Sequence, residues 1–446
     1  MIKTLVKAFL CPSLTSTSLA IALATCALTA CSNSELPSGF SGYECTSIGY
    51  VPLDDTKYPY AGLPRIAIET ESHRAIKDRE TEIPAKLQIW GESAPESDVS
   101  DLTIRGRGNT SWEAPKKSYK IEFSIKQPML GMPMDKDWAL IGNYADKTLM
   151  KNYIMYNLAA KTGAYYTPRC EFVELYINKE YLGVYLLTET IKIGRNRVNI
   201  PKNNSSYIVE FDAKYRNDEQ VFFSQTIQAD PKVMAYRVHE PKNASEDALA
   251  DIETHVKDFE TFLREIKNKK DNHLEKWLDL EEYVKHYWTQ EFSKNPDAWF
   301  LTSVYFSWVR GDVIKMGPVW DFDLAFGGHA SELFPEETAD LKRLSPEEWF
   351  TKGFYWNKYL FQDSIFASAV KKYWLENRDL FGSIIVEIDS TAAILYPAAV
   401  NNFKRWDILG STKYTYHTKA FDSYDNAIDD LKKWIQDRIA WIDKEY

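Results

Sequence analysis

Asp321 and Asp323 stand two positions apart in Pro-Val-Trp-Asp-Phe-Asp-Leu-Ala-Phe-Gly-Gly, residues 318–328, beside an apolar run. In an extended chain the side chains of residues i and i+2 project to one face, so these two carboxylates would converge. Neighbouring carboxylates repel unless a cation lies between them, and Mg²⁺ is the usual one where a phosphate shares it. An acidic turn after a buried strand is the plainer reading of Asp-x-Asp taken alone. Three further pieces of the chain bear on the choice.

The first is Arg105-Gly-Arg107-Gly-Asn109-Thr-Ser-Trp112, which follows a short alternating run. Glycines let backbone N–H groups approach an anion, and arginines and hydroxyls supply more donors, although the same composition makes an ordinary tight turn. The second is Lys117. Tyr119, Ile121, Phe123 and Ile125 alternate with Lys120, Glu122 and Ser124 in Ser118–Ile125. Carrying that parity back turns Lys117 inward and Lys116 outward. An inward ammonium beside a glycine-rich loop suits phosphate oxygens, or else it snorkels from a strand end. The third is Asp297 in Lys294-Asn-Pro-Asp297, after a helical pattern. It is placed either to accept a proton from an attacking hydroxyl or to cap a loop. Glycine-rich loop, lysine, hairpin, helix, Asp297 and Asp321/Asp323 follow one another in the order of a phosphoryl-transfer site.

The elements that must position these residues change character along the chain. Arg65–Thr70, Ala85–Trp90, Leu102–Arg105 and Ser118–Ile125 read as strands, and Phe172–Ile177 and Tyr181–Thr188 flank Asn178-Lys179 as a hairpin. Asp146 is a candidate cap for a helix with Leu149, Met150, Tyr153, Ile154 and Leu158 on one face, ending at Gly163. Beyond residue 241 helical spacing dominates. Ser245 caps Ile252, Val256, Phe259, Leu263 and Ile266, and a second helix carries Leu280, Tyr283, Val284, Tyr287 and Trp288. Two strand-like runs, 301–308 and 313–320, lead to the paired aspartates, and the last eighty or so residues read as helical. A strand-rich half before a helical half predicts an α+β protein with a cleft between two lobes.

With 446 residues and 44% hydrophobic content, the chain can bury a large core. The net charge is −10 with no basic stripe, which argues against nucleic-acid binding. Seven scattered histidines form no HExxH or similar spacing, which argues against zinc. Lys3 and Lys7 precede an apolar stretch through Ala30, and Leu28-Thr-Ala-Cys31 has the form of a bacterial lipobox. Residues 1–30 are therefore expected to be a lipoprotein signal peptide, with Cys31 lipidated and residues 31–60 a tether and extension. Ordinary secretory cleavage nearby is the rival expectation. Cys45 and Cys170 either pair in an oxidising compartment or stay as thiols. No later segment reads as long and apolar enough to span a bilayer.

The chain also resembles the spore coat protein H (CotH) kinase family, in particular lipoprotein-type members from Bacteroides-like bacteria. The likeness lies in RGRGNTSWEAPKKSYKIEF (105–123), DWALIGNYADKTLMKN (137–152), EFVELYINKEYLGVYLLTETIK (171–192), SKNPDAW (293–299) and GPVWDFDLAFGG (317–328). It implies an atypical protein-kinase-like fold, here a strand-rich lobe over 61–190 and a mainly helical lobe over 191–446. It also implies ATP and Mg²⁺. By the resemblance Lys117 holds phosphates, Asp321 binds the metal with Asp323 beside it, and Asp297 is the catalytic aspartate. Glu189 lies near the adenine, and Arg107 and Asn109 face the phosphates. Kinases commonly place an Asn five residues after the catalytic Asp as a second metal ligand, and here that position is Thr302.

The resulting expectation is a kinase, lipid-anchored at the outer membrane or cell surface, that transfers the γ-phosphoryl group of ATP to Ser or Thr hydroxyls of a protein. The alternative is a catalytically degenerate surface lipoprotein that binds a protein or glycan. A carboxylate-pair glycoside hydrolase ranks last, because it leaves the glycine-rich loop and Lys117 without a role.

Overall fold

Seven strands close into a barrel in the order β1-β2-β3-β4-β5-β7-β6. A computed structural model describes residues 53–229, 232–268, 273–299, 302–328, 344–412 and 419–446. The strands are β1 (Arg65–Thr70), β2 (Ile83–Trp90), β3 (Ser100–Arg107), β4 (Ser118–Met129), β5 (Met132–Ile141), β6 (Cys170–Ile177) and β7 (Glu180–Glu189). Neighbours are antiparallel except at the closure, where β1 runs parallel to β6. The alternation on β4 holds for Tyr119, Ile121 and Phe123, which fill the barrel with Ile66, Ile104, Trp138 and Tyr185. Each such side chain contributes about 1.5–3 kcal/mol by leaving water. Ile125 departs from the pattern and is 78% exposed. The β4–β5 register shifts between Glu122 and Gln127, and the irregularity breaks the alternation there.

Local chemistry explains the turns. Asn178 and Lys179 both adopt positive φ, the turn that matches the right-handed twist of the β6–β7 hairpin. β7 carries apolar residues on both faces because it serves two cores. Tyr185 and Leu187 point into the barrel, while Val184 and Leu186 join the main core outside it. β5 was not evident in the sequence because Asp135, Lys136 and Asp137 interrupt it. Those carboxylates are instead paired with Lys120 and Lys192.

A second sheet has the order β12-β11-β8-β10-β9. Its strands are β8 (Ser206–Phe211), β9 (Val221–Ala229), β10 (Lys232–Glu240), β11 (Val304–Val309) and β12 (Lys315–Met316). The α-helices are α1 (Thr110–Glu113), α2 (Lys151–Lys161), α3 (Glu246–Glu265), α4 (Leu280–Ser293), α5 (Tyr355–Leu360), α6 (Ser364–Gly382), α7 (Ile384–Arg405) and α8 (Tyr424–Glu445). The chain is thus α+β, strand-rich first and helical towards its C-terminus. Ser245 caps α3 as expected, its Oγ accepting from Ala248 N–H. Asp146 sits before the α2 cap rather than at it, and its carboxylate accepts the N–H groups of Thr148 (2.9 Å) and Lys151 (2.8 Å).

One sequence expectation is overturned here. Within Ser364–Arg405 there is helix long and apolar enough to cross a membrane, with a mean hydropathy of 1.4 over its best window. In the fold this stretch is α6 and α7, which place Phe366, Trp374, Phe381, Ile388 and Leu395 in the main core. Cys31 and Cys45 lie outside the described residues, so the lipidation and the Cys45–Cys170 pairing do too. Cys170 is buried on β6.

Candidate active site

A cleft of about 310 Å³ opens against the outer face of the barrel. The barrel's interior is closed and apolar, so β3 sends Leu102 and Ile104 inward and Arg105 and Arg107 outward to the cleft. Gly108 follows with a φ of +94°, and a Cβ there would lie 1.9 Å from Ser111 Oγ. Arg79 braces this loop by donating to Gly108 O (2.7 Å) and Asn109 Oδ1 (2.9 Å). Arg107 lies over the Trp320 ring at 4.7 Å. Both Arg107 and Asn109 line the cleft.

The opposite wall is acidic. α4 ends with Lys294 in the left-handed region, and a 3₁₀ turn, Pro296–Trp299, then presents Asp297. Asn295 joins two segments, its Oδ1 accepting from Asp297 N–H (3.2 Å) while its Nδ2 donates to Asp321 O (3.0 Å). The Asp321–Asp323 segment is not the extended strand that the spacing suggested. β12 ends at Met316, Asp321 has a φ of +63°, and a turn begins at Asp323. The two carboxylates meet because this kinked loop is held from outside. Asn152 Oδ1 accepts Phe322 N–H (2.7 Å), Ser293 O accepts Phe326 N–H (2.8 Å), and Lys151 Nζ donates to Ala325 O (2.7 Å).

Asp297, Asp321 and Asp323 line the same cleft, each half-buried, and Asp321 raises the proton affinity of the other two. Burial, then the Asp321 charge, pushes Asp297 up to about 8. Burial followed by Asp321 and Asp297 holds Asp323 well above the usual carboxylate range. Asp321 is also raised by burial, against the lowering influence of Arg107 and Lys214. The Ser303 hydroxyl lowers both Asp297 and Asp321. Glu210 on β8 fixes that residue by accepting Ser303 N–H (2.9 Å) and the Thr302 hydroxyl (3.3 Å).

Two expected site residues are not brought to the cleft. Lys117 keeps the predicted parity, but inward on β4 means the mouth of a filled barrel. Its Nζ donates to Trp112 O and lies 5.1 Å from the Trp112 ring. Of the neighbouring pair it is Lys116 that reaches the cleft wall, only 1% exposed, its ammonium held by Val184 O and Asn402 Oδ1. Glu189 is fully buried at the end of β7, where Arg169, Arg197 and Tyr166 surround it. Lys117→Met and Glu189→Gln are therefore expected to leave nucleotide-induced stabilisation unchanged. Glu189→Gln alone lowers the melting temperature, because Arg197 loses its buried counter-charge. Differential scanning fluorimetry with and without ATP–Mg²⁺ checks both.

A family model described as CotH kinase protein matches residues 104–442, a span that holds the glycine-rich loop and every carboxylate of the cleft. The chain belongs to this family. No curated protein matches the chain. Membership in the CotH kinase family points to a kinase-like function, with nucleotide and metal use. Among the described residues no group of three or more His, Cys, Asp or Glu is arranged to hold a metal ion. A CotH chain with Asp321 and Asp323 nonetheless fits Mg²⁺. That ion takes hard oxygen ligands, keeps several waters and needs only one or two carboxylates beside substrate phosphates. The Asp321 charge raises the proton affinity of Asp323, the repulsion that a cation between them would relieve. Ser303, Asn295, Asn152 and Glu210 are the site residues that the sequence did not disclose. Asn152 and Asn295 stood inside the matched stretches 137–152 and 293–299 with no role read for them, whereas Glu210 and Ser303 lay outside every stretch.

Proposed function

We propose that this CotH kinase protein transfers the γ-phosphoryl group of ATP to Ser or Thr hydroxyls of a protein. In this reading it has a two-lobed, atypical kinase-like fold and is lipid-anchored in the cell envelope through Cys31 after loss of residues 1–30. One observation carries it: a cationic glycine-rich loop and three mutually repelling carboxylates face one cleft.

The donors are Arg107, steadied on Trp320, and the backbone of the Gly108–Asn109 loop, which together receive the phosphates. Asp321 and Asp323 would hold Mg²⁺, which supplies charge neutralisation at the phosphoryl oxygens. Asp297, with proton affinity near neutral pH, orients the acceptor hydroxyl and takes its proton. The acceptor oxygen forms a bond to the γ-phosphorus as the bond to the bridging oxygen breaks, and ADP leaves with that electron pair. Purified protein given γ-labelled and α-labelled ATP tests this. Label on phosphoserine or phosphothreonine from the γ position alone is expected, and incorporation from the α position would overturn it.

The pH dependence follows from the same carboxylates. Without divalent ions, the folded proton affinity of Asp297 lies above its unfolded value. Its contribution to stability is therefore complete below about pH 4 and is lost as pH rises through about 8. Melting temperature in EDTA is expected to fall over that range, less steeply for Asp297→Asn. Stabilisation by Mg²⁺ is expected to grow with pH, since ionised carboxylates bind it. Equal pH profiles for wild type and Asp297→Asn would contradict this.

A degenerate surface-binding protein is the second reading. It is favoured by Thr302, whose hydroxyl is donated to Glu210 at the position where kinases commonly supply an Asn. Absence of any nucleotide-dependent shift in melting would select it.

A further inference from the structure

We propose that Lys214 is the catalytic cation of this cleft, contacting the phosphoryl group in flight between nucleotide and acceptor. The proposal rests on the phosphoryl-transfer reading above and assigns a residue from an element not expected to contribute. Lys117, expected from the sequence to neutralise phosphate, is held by Trp112 O away from the cleft, which leaves that role open.

The cleft-lining cations differ in what already holds them. Arg79 is committed to Gly108 O and Asn109, Arg105 to Glu82, and Lys116 to Val184 O and Asn402. Arg237 is wrapped by Glu210, Asp212 and Glu219. Lys214 is exposed, and among the described residues its ammonium has no ion-pair partner. Lys214 lines the same cleft as Asp297, Asp321 and Asp323. Lys214 is thus a cation without an ion pair on the wall shared by the proton-accepting aspartate and the metal-holding one.

The element carrying Lys214 is built to hold it there. It lies on the turn between β8 and β9, and both feet of that turn, Asp212 and Glu219, pair with the Arg237 guanidinium. Asp212 Oδ1 accepts Lys214 N–H (2.8 Å), and Glu219 Oε2 accepts Arg216 N–H (2.7 Å). Arg216 then reaches Glu80 at 2.6 Å, so the turn is tied to the loop before β2. The arch is fixed by its backbone and neighbours, which leaves the lysine side chain itself free for a ligand. A compact ammonium on a flexible stem suits an oxygen whose position shifts during transfer.

Lys214→Met tests the assignment, with Lys214→Arg as the conservative partner. Lys214→Met is expected to lower kcat by about 100-fold with KM for ATP changed less than about threefold, and Lys214→Arg to recover part of the loss. Fluorimetry gives a readout independent of turnover. The extra stabilisation by ATP–Mg²⁺ over ADP–Mg²⁺ should shrink in Lys214→Met, while that by ADP–Mg²⁺ matches wild type. A Lys214→Met kcat within about twofold of wild type, or an undiminished ATP-over-ADP increment, overturns the proposal. If neither nucleotide stabilises wild type, the phosphoryl-transfer reading fails first and takes this assignment with it.

Discussion

Asp321→Asn is expected to abolish phosphoryl transfer, by about 1,000-fold or more, in a protein that folds at least as well as wild type. The loss follows from charge. Asp321 is one of two carboxylates in place to hold a divalent ion, and an amide there keeps the shape without the charge that binds it. The retained stability follows from the same repulsion. Asp321 raises the proton affinity of both Asp297 and Asp323, so its charge is a burden on the unliganded fold. Removing that charge relieves two neighbours at once, while the backbone contacts of Asp321 with Asn295 and Tyr156 remain. Label transfer from γ-labelled ATP and thermal melting in EDTA measure the two halves. A variant that loses activity only because it melts earlier would contradict this trade of stability for function.

Arg438→Met should have the largest effect on folding, destabilising the protein by about 3–5 kcal/mol. Arg438 on α8 is fully buried, and its guanidinium donates to Glu291 O (2.8 Å) and Glu291 Oε1 (2.7 Å). The same group reaches Pro346 O and Glu348 O. Glu291, also buried, accepts Phe350 N–H, Thr351 N–H and the Thr351 hydroxyl. Truncating the arginine strands a buried carboxylate at the end of α4, a few residues before Asp297. Urea unfolding reads the cost. A midpoint indistinguishable from wild type would mean that Glu291 is satisfied without its partner.

Local rules carried the sequence reading a long way. Asn178-Lys179 was legible as a hairpin because two positive-φ residues between apolar runs have few other uses. Asp297, Asp321 and Asp323 were legible as carboxylates bound for one cleft. What was illegible depends on closure of the barrel. Lys117 was assigned to the correct face of β4, yet only the β1–β6 pairing reveals that this face looks into an apolar interior. The second sheet shows the same limit, because Glu210, Asp212 and Lys214 reach the cleft through β8, whose partners β10 and β11 lie far along the chain. Glu189 had the sequence context of a cleft residue and the surroundings of a structural ion pair. The convergence of Asp321 and Asp323 was foreseen for the wrong reason, since a left-handed residue and a braced loop bring them together.

Isothermal titration calorimetry of ATP into the purified protein, with and without Mg²⁺, tests the central claim most directly. Saturable one-site binding that requires Mg²⁺ and disappears in Asp321→Asn is the predicted result. Binding of equal strength in EDTA, or in Asp321→Asn, would show that the paired carboxylates do not hold a metal–nucleotide.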